Sequence, residues 1–238
     1  MIEVANVHVY GIATALRHMR MPYESFEKQD SKVLSDGRVI LGPNDAKLLS
    51  QLAKGGPEHR DFIRKIHIHL EIKAPRYWWQ EFDTYKHPVK NSSSTMHLIT
   101  KRHLAREDFE LDDLIEEELK LLDNNISYLN MLIDLYNDPD TKTKHQKEMV
   151  MLRIKKFLPE GYLQLRGVDL DYETALCMFE QRYNHRLPQW RTFCKFVLLK
   201  LCLFEDIASS TDKGRKAVEY YKLEEMARNG ECEQSGNN

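Results

Sequence analysis

The sequence has no apolar run that is long enough, and free enough of charge, to cross a bilayer as a helix. The longest such run, FCKFVLLKLCLF, contains two lysines and is typical of a buried helix. The first residues, MIEVANVHVYG, lack the basic start and the small-residue cleavage site of a signal peptide. We therefore expect neither a membrane protein with helical spans nor a secreted protein.

Cysteine is also scarce, with four residues in 238 and no CxxC spacing. This pattern predicts free thiols in a reducing compartment, and hence a cytoplasmic protein. Cys177 and Cys194 lie in apolar helical segments, where thiols are usually inert, so a cysteine nucleophile is not indicated.

His67 and His69 could share one face of a strand, but without an HExxH motif or a Cys/His cluster no metal site is predicted.

A strong charge of one sign is absent as well. The chain has 35 basic and 37 acidic residues, and its net charge of -2 gives no general attraction to nucleic acid or to an anionic membrane. The GxGxxG and P-loop motifs are missing too. Hydrophobic residues make up 42% of the chain, which is enough to form the core of a globular protein.

Hydrophobic periodicity predicts strands mixed with longer helices. The clearest strand is IHIHLEIKA, in which the apolar residues of Ile66–Ile72 alternate with polar ones and should face a core. We predict strands at 2–11, 66–74 and 162–172, and helices at 45–54, 58–66, 111–136, 142–157, 172–183 and 188–204. Asn44 is a plausible cap and Gly55 a stop for the first helix. This order indicates the α/β (α+β) class, with a central sheet flanked by helices.

The domain organisation follows from the same pattern. We interpret residues 1–210 as a single domain that contains a helical segment at 107–157. Residues 211–238 are predicted to be a C-terminal helix and a tail, which is disordered from Gly230 because it has little apolar content.

An aromatic run, PRYWWQEFDTYKH, follows the clearest strand, and Pro75 is well placed to open a helix through it. Trp78, Trp79, Phe82 and Tyr85 fall on this short helix. Such a helix is most often pinned in a core by its aromatic rings. In the alternative, Trp79 is part of a flat wall on which a flavin or a base stacks.

The polar run NSSST, residues 91–95, comes next and leads into Met96 and His97. Runs of this kind are usually loops or helix N-caps. Hydroxyl and backbone N–H groups at a helix start can also hold a phosphate. Arg166, inside a predicted strand, and Arg182, near a helix end, are candidate bidentate partners for a phosphate or a carboxylate.

At this point the segment IKAPRYWWQEF…NSSS resembles the flavin-dependent thymidylate synthases. That family has a Lys/Ala-Pro step, an aromatic-rich helix, and then a signature of Arg-His-Arg, Ser, Asn-Glu, Ser and Arg-Tyr. Counted from Pro75 without gaps, Lys86 falls on the third residue of Arg-His-Arg, Asn91 on the Asn and Ser94 on the second Ser. The other signature positions differ and are occupied by Thr84, Tyr85, Val89, Ser92, Met96 and His97.

Two later patches are similar to the family in the same order. RIKKFLPEGY resembles its Arg-x-x-Leu-Pro step, with Lys155 in place of the Arg. FEQRYNHRLPQW resembles its Arg…Ala-Gln-Trp helix, where Gln189 and Trp190 match directly and Arg182 matches with a one-residue insertion. The resemblance covers roughly 58–204. It is greatest to a divergent branch among phages and Gram-positive bacteria.

The resemblance implies FAD as cofactor, and dUMP methylated to dTMP with methylenetetrahydrofolate and NADPH. It also implies a homotetramer whose sites are shared between subunits. Ser94 would contact the nucleotide and Arg182 the pyrimidine or its phosphate. The expected flavin and nucleotide contacts are Lys86, Asn91, Trp79, His97 and Arg166.

Three functions remain open from the sequence. The first is a divergent methyltransferase of this family. The second is a non-catalytic nucleotide-binding protein, since Thr84 and Tyr85 cannot supply the cationic contacts of Arg-His. The third is a helical assembly protein, suggested by the amphipathic helices between residues 111 and 157.

Overall fold

The computed structural model describes residues 2–35, 37–141 and 143–235, with side chains described as far as residue 227. The strands are β1 (Glu3–Tyr10), β2 (Lys32–Val33), β3 (Val39–Ile40), β4 (His67–Pro75), β5 (Val89–Ser92) and β6 (Leu163–Asp171). The helices of the N-terminal half are α1 (Ile12–His18), α2 (Pro43–Lys54), α3 (Arg76–Phe82) and α4 (Thr95–Leu98). Those that follow are α5 (Glu116–Asn137), α6 (Lys144–Phe157), α7 (Tyr172–Arg182), α8 (Pro188–Lys200), α9 (Phe204–Ser210) and α10 (Asp212–Ser235).

Four strands form a central antiparallel sheet in the order β1-β4-β6-β5, and helices flank it, which confirms the predicted fold class. A separate small hairpin pairs β2 with β3. Strand β4 alternates between buried and more exposed residues, and the apolar set from Ile66 to Ile72 is buried as predicted. Its period of two follows from the pleat of a strand with one face on the core.

The chain divides into two compact units. The first consists of Met1–Ala5, Glu71–Thr84 and Lys90–Gly167. Its core lies where α5 and α6 pack on each other, and it is formed by Leu129, Leu132, Ile133, Met151 and Ile154 with their neighbours. Helix pairs of this kind bury their apolar stripes against each other.

The second unit consists of Asn6–Leu70, Tyr85–Val89 and Val168–Asn238. Its core is rich in aromatic side chains, and Phe179, Trp190 and Phe204 are among its fully buried residues. Phe179 and Phe204 meet edge to face with ring centroids 5.5 Å apart, a favourable arrangement for aromatic pairs. The interpretation of residues 1–210 as a single domain stays a prediction.

Several predicted element boundaries were wrong. Helix α2 has Gly42 as its N-cap and Pro43 at its first position, so Asn44 is not the cap. Residues 58–66 form two separate 3-10 turns, Pro57–His59 and Ile63–Lys65, instead of one helix. The predicted helix at 188–204 ends at Lys200, and a new helix begins after Leu203, whose φ of 62° breaks the helical path.

Helix α5 begins at Glu116, five residues later than the periodicity suggested. The Glu118 carboxylate accepts a hydrogen bond from the Ile115 backbone N–H at 3.0 Å. Three acidic residues in the first turn also favour this start, since negative charge stabilises the N-terminal end of a helix dipole. Helix α10 continues past Gly230 to Ser235, and residues 236–238 of the predicted tail lie outside the described residues.

Within the described residues, no helix combines the length and apolar character needed to cross a membrane.

Gly11 joins β1 to α1 with a φ of 88°, and a Cβ atom placed there would lie 1.9 Å from the Lys65 carbonyl oxygen. We expect Gly11→Ala to lower the free energy of unfolding by more than about 2 kcal/mol, because the left-handed backbone alone costs a residue with a Cβ about 1–2 kcal/mol. Gly37→Ala is the matched control, since its φ is 84° and nothing lies within 4 Å of its Cβ position. Thermal unfolding of both variants measures the difference, and equal losses would contradict the steric account.

Candidate functional site

Arg76–Phe82 of the aromatic run form α3 in the first unit, whereas Tyr85 lies beyond the helix in the second unit and not on it as predicted. Trp78, Trp79 and Phe82 are fully buried and pack on one another, with centroid distances near 5 Å such as 4.9 Å between the two tryptophans. The Trp79 indole N–H donates a hydrogen bond to the Gln164 carbonyl oxygen at 3.0 Å. The Arg166 guanidinium covers the ring at 4.4 Å from its centroid. Trp79 therefore has no surface on which a planar ligand could stack, and the stacking-wall alternative is wrong for this residue.

Arg166 is committed to partners within the protein. Its guanidinium contacts both carboxylate oxygens of Asp83, at 3.1 and 3.0 Å. The Lys90 ammonium reaches the same carboxylate at 2.8 Å. Burial raises the pKa of Asp83, but the hydrogen bonds from Lys90 and Arg166 outweigh burial and hold the pKa below its ordinary value. Asp83 thus occupies the position on Arg166 that a ligand anion would take.

The polar run is held in place by β6. The Ser93 backbone N–H donates to the Leu165 carbonyl at 2.9 Å, and the Gln164 side-chain amide donates to the Ser93 carbonyl at 2.8 Å. Asn91 is exposed on β5, whereas Ser94 is half-buried and is the N-cap residue of α4. The polar run is therefore a strand end and a helix start, in agreement with the simpler structural interpretation.

A cleft opens beside this helix start, and we call it the α6 cleft. Its volume is about 790 Å³, within the range of small-molecule sites. Its lining residues are Met96, His97, Tyr136, Lys144, Lys147, Glu148, Met151, Leu152 and Lys155. The structure thus brings His97, one of the predicted contacts, together with three lysines of α6 that the sequence analysis did not assign to a ligand.

Lys155 lies at the α4 end of the α6 cleft and is half-buried. Its ammonium donates a hydrogen bond to the Thr95 hydroxyl. Burial, and then the positive charge of Arg76, lower its pKa from the ordinary value of 10.5. An anion bound here would therefore offset the cost of burying the lysine's charge.

The other wall of the α6 cleft combines an aromatic ring with charge. The Lys147 ammonium lies 5.3 Å from the centroid of the Tyr136 ring, within the usual distance for a cation–π contact. Lys144 is 3.8 Å from a Glu148 oxygen on an exposed part of α6. Met96, Met151 and Leu152 supply apolar surface, so the cleft combines a cationic rim with an apolar floor.

Arg182 belongs to the second unit and lies among aromatic rings. Its Nε donates to the Tyr85 hydroxyl at 3.1 Å, and its guanidinium lies 5.0 Å from the Trp190 ring centroid. Its Nη1 lies 2.9 Å from the His185 Nε2. Burial raises the pKa of Tyr85, so its phenol stays protonated and donates to Gln181 at 3.0 Å. The structure thus places Arg182 beside Trp190, while Lys86 is exposed in a bend of the same unit.

The two histidines of the HxH pair both contact one carboxylate. His67 Nδ1 lies 3.1 Å from one Asp169 oxygen, and His69 Nε2 lies 3.4 Å from the other. Across the part of the chain that the structure describes, no group of three or more His, Cys, Asp or Glu side chains is placed to hold a metal ion.

Comparison with known proteins gives a likeness in structure only. No family model matches the chain, and no curated protein sequence matches it. The structure is similar to that of thymidylate synthase X from Helicobacter pylori with FAD and dUMP, at 17% identity and a TM-score of 0.61 over 87% of this chain and 96% of the other. It is also similar to a flavin-dependent thymidylate synthase of the same bacterium complexed with FAD and dUMP, at 17% identity and a TM-score of 0.58 over 84% and 93%. At this identity the likeness establishes the fold.

Proposed function

We propose that the chain binds a pyrimidine nucleotide, such as dUMP, and FAD on the fold of the flavin-dependent thymidylate synthases. The fold likeness extends over nearly the whole of both chains, and the similar structures contain these two ligands. The observation that carries the proposal is the α6 cleft, because its cationic rim and apolar floor lie at the helix start that follows Ser94. A phosphate and a ring are the two parts of a nucleotide that such a surface accepts.

The residues of the α6 cleft fit a phosphorylated ring ligand of nucleotide or flavin type. Lys155 and His97 would hold its phosphate oxygens, while Tyr136 and Met151 would pack against its ring. When bound, reduced flavin supplies a hydride, so the protein's part is to bind and orient. Ser94, the N-cap residue of α4, is the proposed nucleotide contact of the first unit. The roles of Arg182, Asn91 and Lys86 stay predictions from the sequence resemblance, and Asn91 and Lys86 are exposed.

Methylation of dUMP to dTMP, with methylenetetrahydrofolate and NADPH, is the finer form of the proposal. A binding protein without turnover is the second candidate, and a specific contact favours it. Tyr85 stands where the family signature has a His, and its hydroxyl accepts a hydrogen bond from Arg182. To bind a ligand through the same nitrogen, Arg182 would have to give up its hydrogen bond to Tyr85. Conversion of dUMP to dTMP by the purified protein would exclude the second candidate.

Assembly into a homotetramer and membership of the phage and Gram-positive branch stay predictions from the sequence resemblance, and a cytoplasmic location stays a prediction from the cysteine pattern. The helical assembly alternative also stays open, because α5 and α6 expose large apolar side chains such as Leu121 and Met131.

The absorbance spectrum of the purified protein tests the proposal. We expect flavin bands in the near-ultraviolet and visible range after FAD is added and excess FAD is removed. Addition of dUMP should then shift these bands, because the nucleotide and the flavin ring are expected to lie close together. A spectrum without retained flavin, together with no dUMP binding in an equilibrium titration, would contradict the proposal.

A further inference from the structure

The lysines of the α6 cleft occupy two separate positions along one helix. Lys147 and Lys155 are eight residues apart, which at 1.5 Å per residue corresponds to about 12 Å along the helix axis. Eight residues are a little more than two turns, so both side chains point to the same side of α6. The cations therefore form two ends of the cleft instead of one cluster.

The ammonium groups are held at these two ends by different partners. Lys155 donates to the Thr95 hydroxyl at the start of α4. Lys147 lies over the Tyr136 ring near the end of α5. Neither lysine is fully exposed, whereas Lys144 is 92% exposed and belongs to the outer rim. Lys147 and Lys155 are therefore the anchors whose positions the fold determines.

Apolar surface separates the two anchors. Met151 lies midway between them on α6, and Met96 and Leu152 also line this part of the cleft. A ring system would pack there, since methionine side chains adapt to its shape. A nucleoside monophosphate carries its charge at one end only, so it would pair with one lysine and leave the other facing apolar ligand surface.

We propose that the α6 cleft recognises a ligand with two anionic groups, one for Lys147 and one for Lys155, joined by a ring system that packs on the apolar lining around Met151. This inference rests on the proposed function in that both place an anionic ring ligand in the same cleft. It adds that the ligand is bis-anionic, and that Lys147 is the residue that selects for the second charge. Lys155 anchors the first charge in ligands of either kind.

Rigid aromatic carboxylates can test whether the cleft prefers two anions over one, and how far apart the two anions must be. Biphenyl-4,4′-dicarboxylate carries two anions at opposite ends of a two-ring spacer, and biphenyl-4-carboxylate lacks one of them. Benzene-1,4-dicarboxylate has both anions at a shorter distance. We expect the wild-type chain to bind the biphenyl diacid at least tenfold more tightly than either of the other two probes.

Variants of Lys147 test whether this residue causes the preference for the biphenyl diacid. Lys147→Gln should remove the tenfold preference of the wild type for the biphenyl diacid over the monoacid, whereas Lys147→Arg should retain this preference. Lys156→Gln, an exposed lysine of α6 outside the cleft lining, is the matched control and should behave as the wild type. Equal affinities of the wild type for diacid and monoacid would overturn the inference, as would a preference that survives Lys147→Gln.

The same titrations separate this inference from the proposed function. If dUMP binds but the diacid preference is absent, the bis-anionic inference fails and the proposed function stands. If the diacid preference depends on Lys147 but neither dUMP nor FAD binds, the inference stands and the proposed function fails.

Discussion

Asp45→Asn is expected to lower the free energy of unfolding by about 3–5 kcal/mol, the usual effect of removing one partner from a buried ion pair. The Asp45 side chain is 0% exposed and that of its partner Arg20 is 4% exposed, with 2.5 Å between a guanidinium nitrogen and a carboxylate oxygen. The carboxylate also accepts hydrogen bonds from the backbone N–H groups of Asp30 and Ser31, at 3.1 and 2.8 Å. The substitution would leave the Arg20 charge buried and would weaken the attachment of this loop to α2.

Asp61→Asn is the control for this effect. Asp61 pairs with Arg64 at 2.9 Å, but the two side chains are 74% and 47% exposed. Exposed pairs contribute about 0–1 kcal/mol, so this variant should unfold almost as the wild type does. Urea-induced unfolding followed by circular dichroism measures both variants. A loss below 1 kcal/mol for Asp45→Asn would contradict the assigned role of the buried pair.

Acid sensitivity should follow from the same contact. Burial raises the pKa of Asp45, but hydrogen bonds from Ser31 and Arg20 lower it by more. The pKa of Asp45 therefore lies below its ordinary value of 3.8. A depressed carboxyl pKa stabilises the folded state fully above the unfolded pKa of about 3.9, and this contribution is lost as pH falls through the folded pKa. The wild type should therefore lose more stability than Asp45→Asn does as the pH is lowered below about 4.

The secondary structure could be predicted from the sequence wherever the pattern of apolar residues was long and regular. Strand β4 and helix α6 have unbroken apolar patterns, and both occur where expected. The errors fall where local contacts decide a boundary. The capping hydrogen bond from the Ile115 N–H to Glu118 delays the start of α5. The extended backbone of Leu201 ends α8, and α9 begins only after Leu203. Neither effect has a signal in hydrophobic periodicity.

The candidate site was only partly accessible to sequence reasoning. The run from Asn91 to His97 was identified, and His97 does line the cleft. The alternative that Trp79 forms an open stacking surface was wrong, because a sequence does not show that Arg166 covers the ring. The lysines of α6 carried a usable signal that was missed, since Lys144, Lys147, Met151 and Lys155 recur at helical spacing on one face.

Lys155→Gln is expected to weaken dUMP binding by about 10- to 100-fold, which corresponds to about 1.5–3 kcal/mol for a hydrogen bond to a charged group. Lys155 is the lysine nearest the start of α4, where its ammonium already holds the Thr95 hydroxyl. Burial and the positive charge of Arg76 lower the pKa of Lys155, so both disfavour its charged form. A bound phosphate would relieve that penalty, so the loss should exceed that at an exposed lysine.

Lys156→Gln removes the same charge from the next residue, which is exposed and outside the cleft lining. It separates the contact at the α6 cleft from the general effect of net charge. Its affinity for dUMP should stay within about twofold of that of the wild type, as expected for a screened surface charge.

Calorimetric titration of dUMP into the wild type, Lys155→Gln and Lys156→Gln tests most directly whether the α6 cleft is a nucleotide site. We predict saturable binding by the wild type and by Lys156→Gln, and a loss of at least tenfold in affinity for Lys155→Gln. Equal affinities for all three proteins, or no binding by the wild type, would contradict the assignment of the α6 cleft as the nucleotide site.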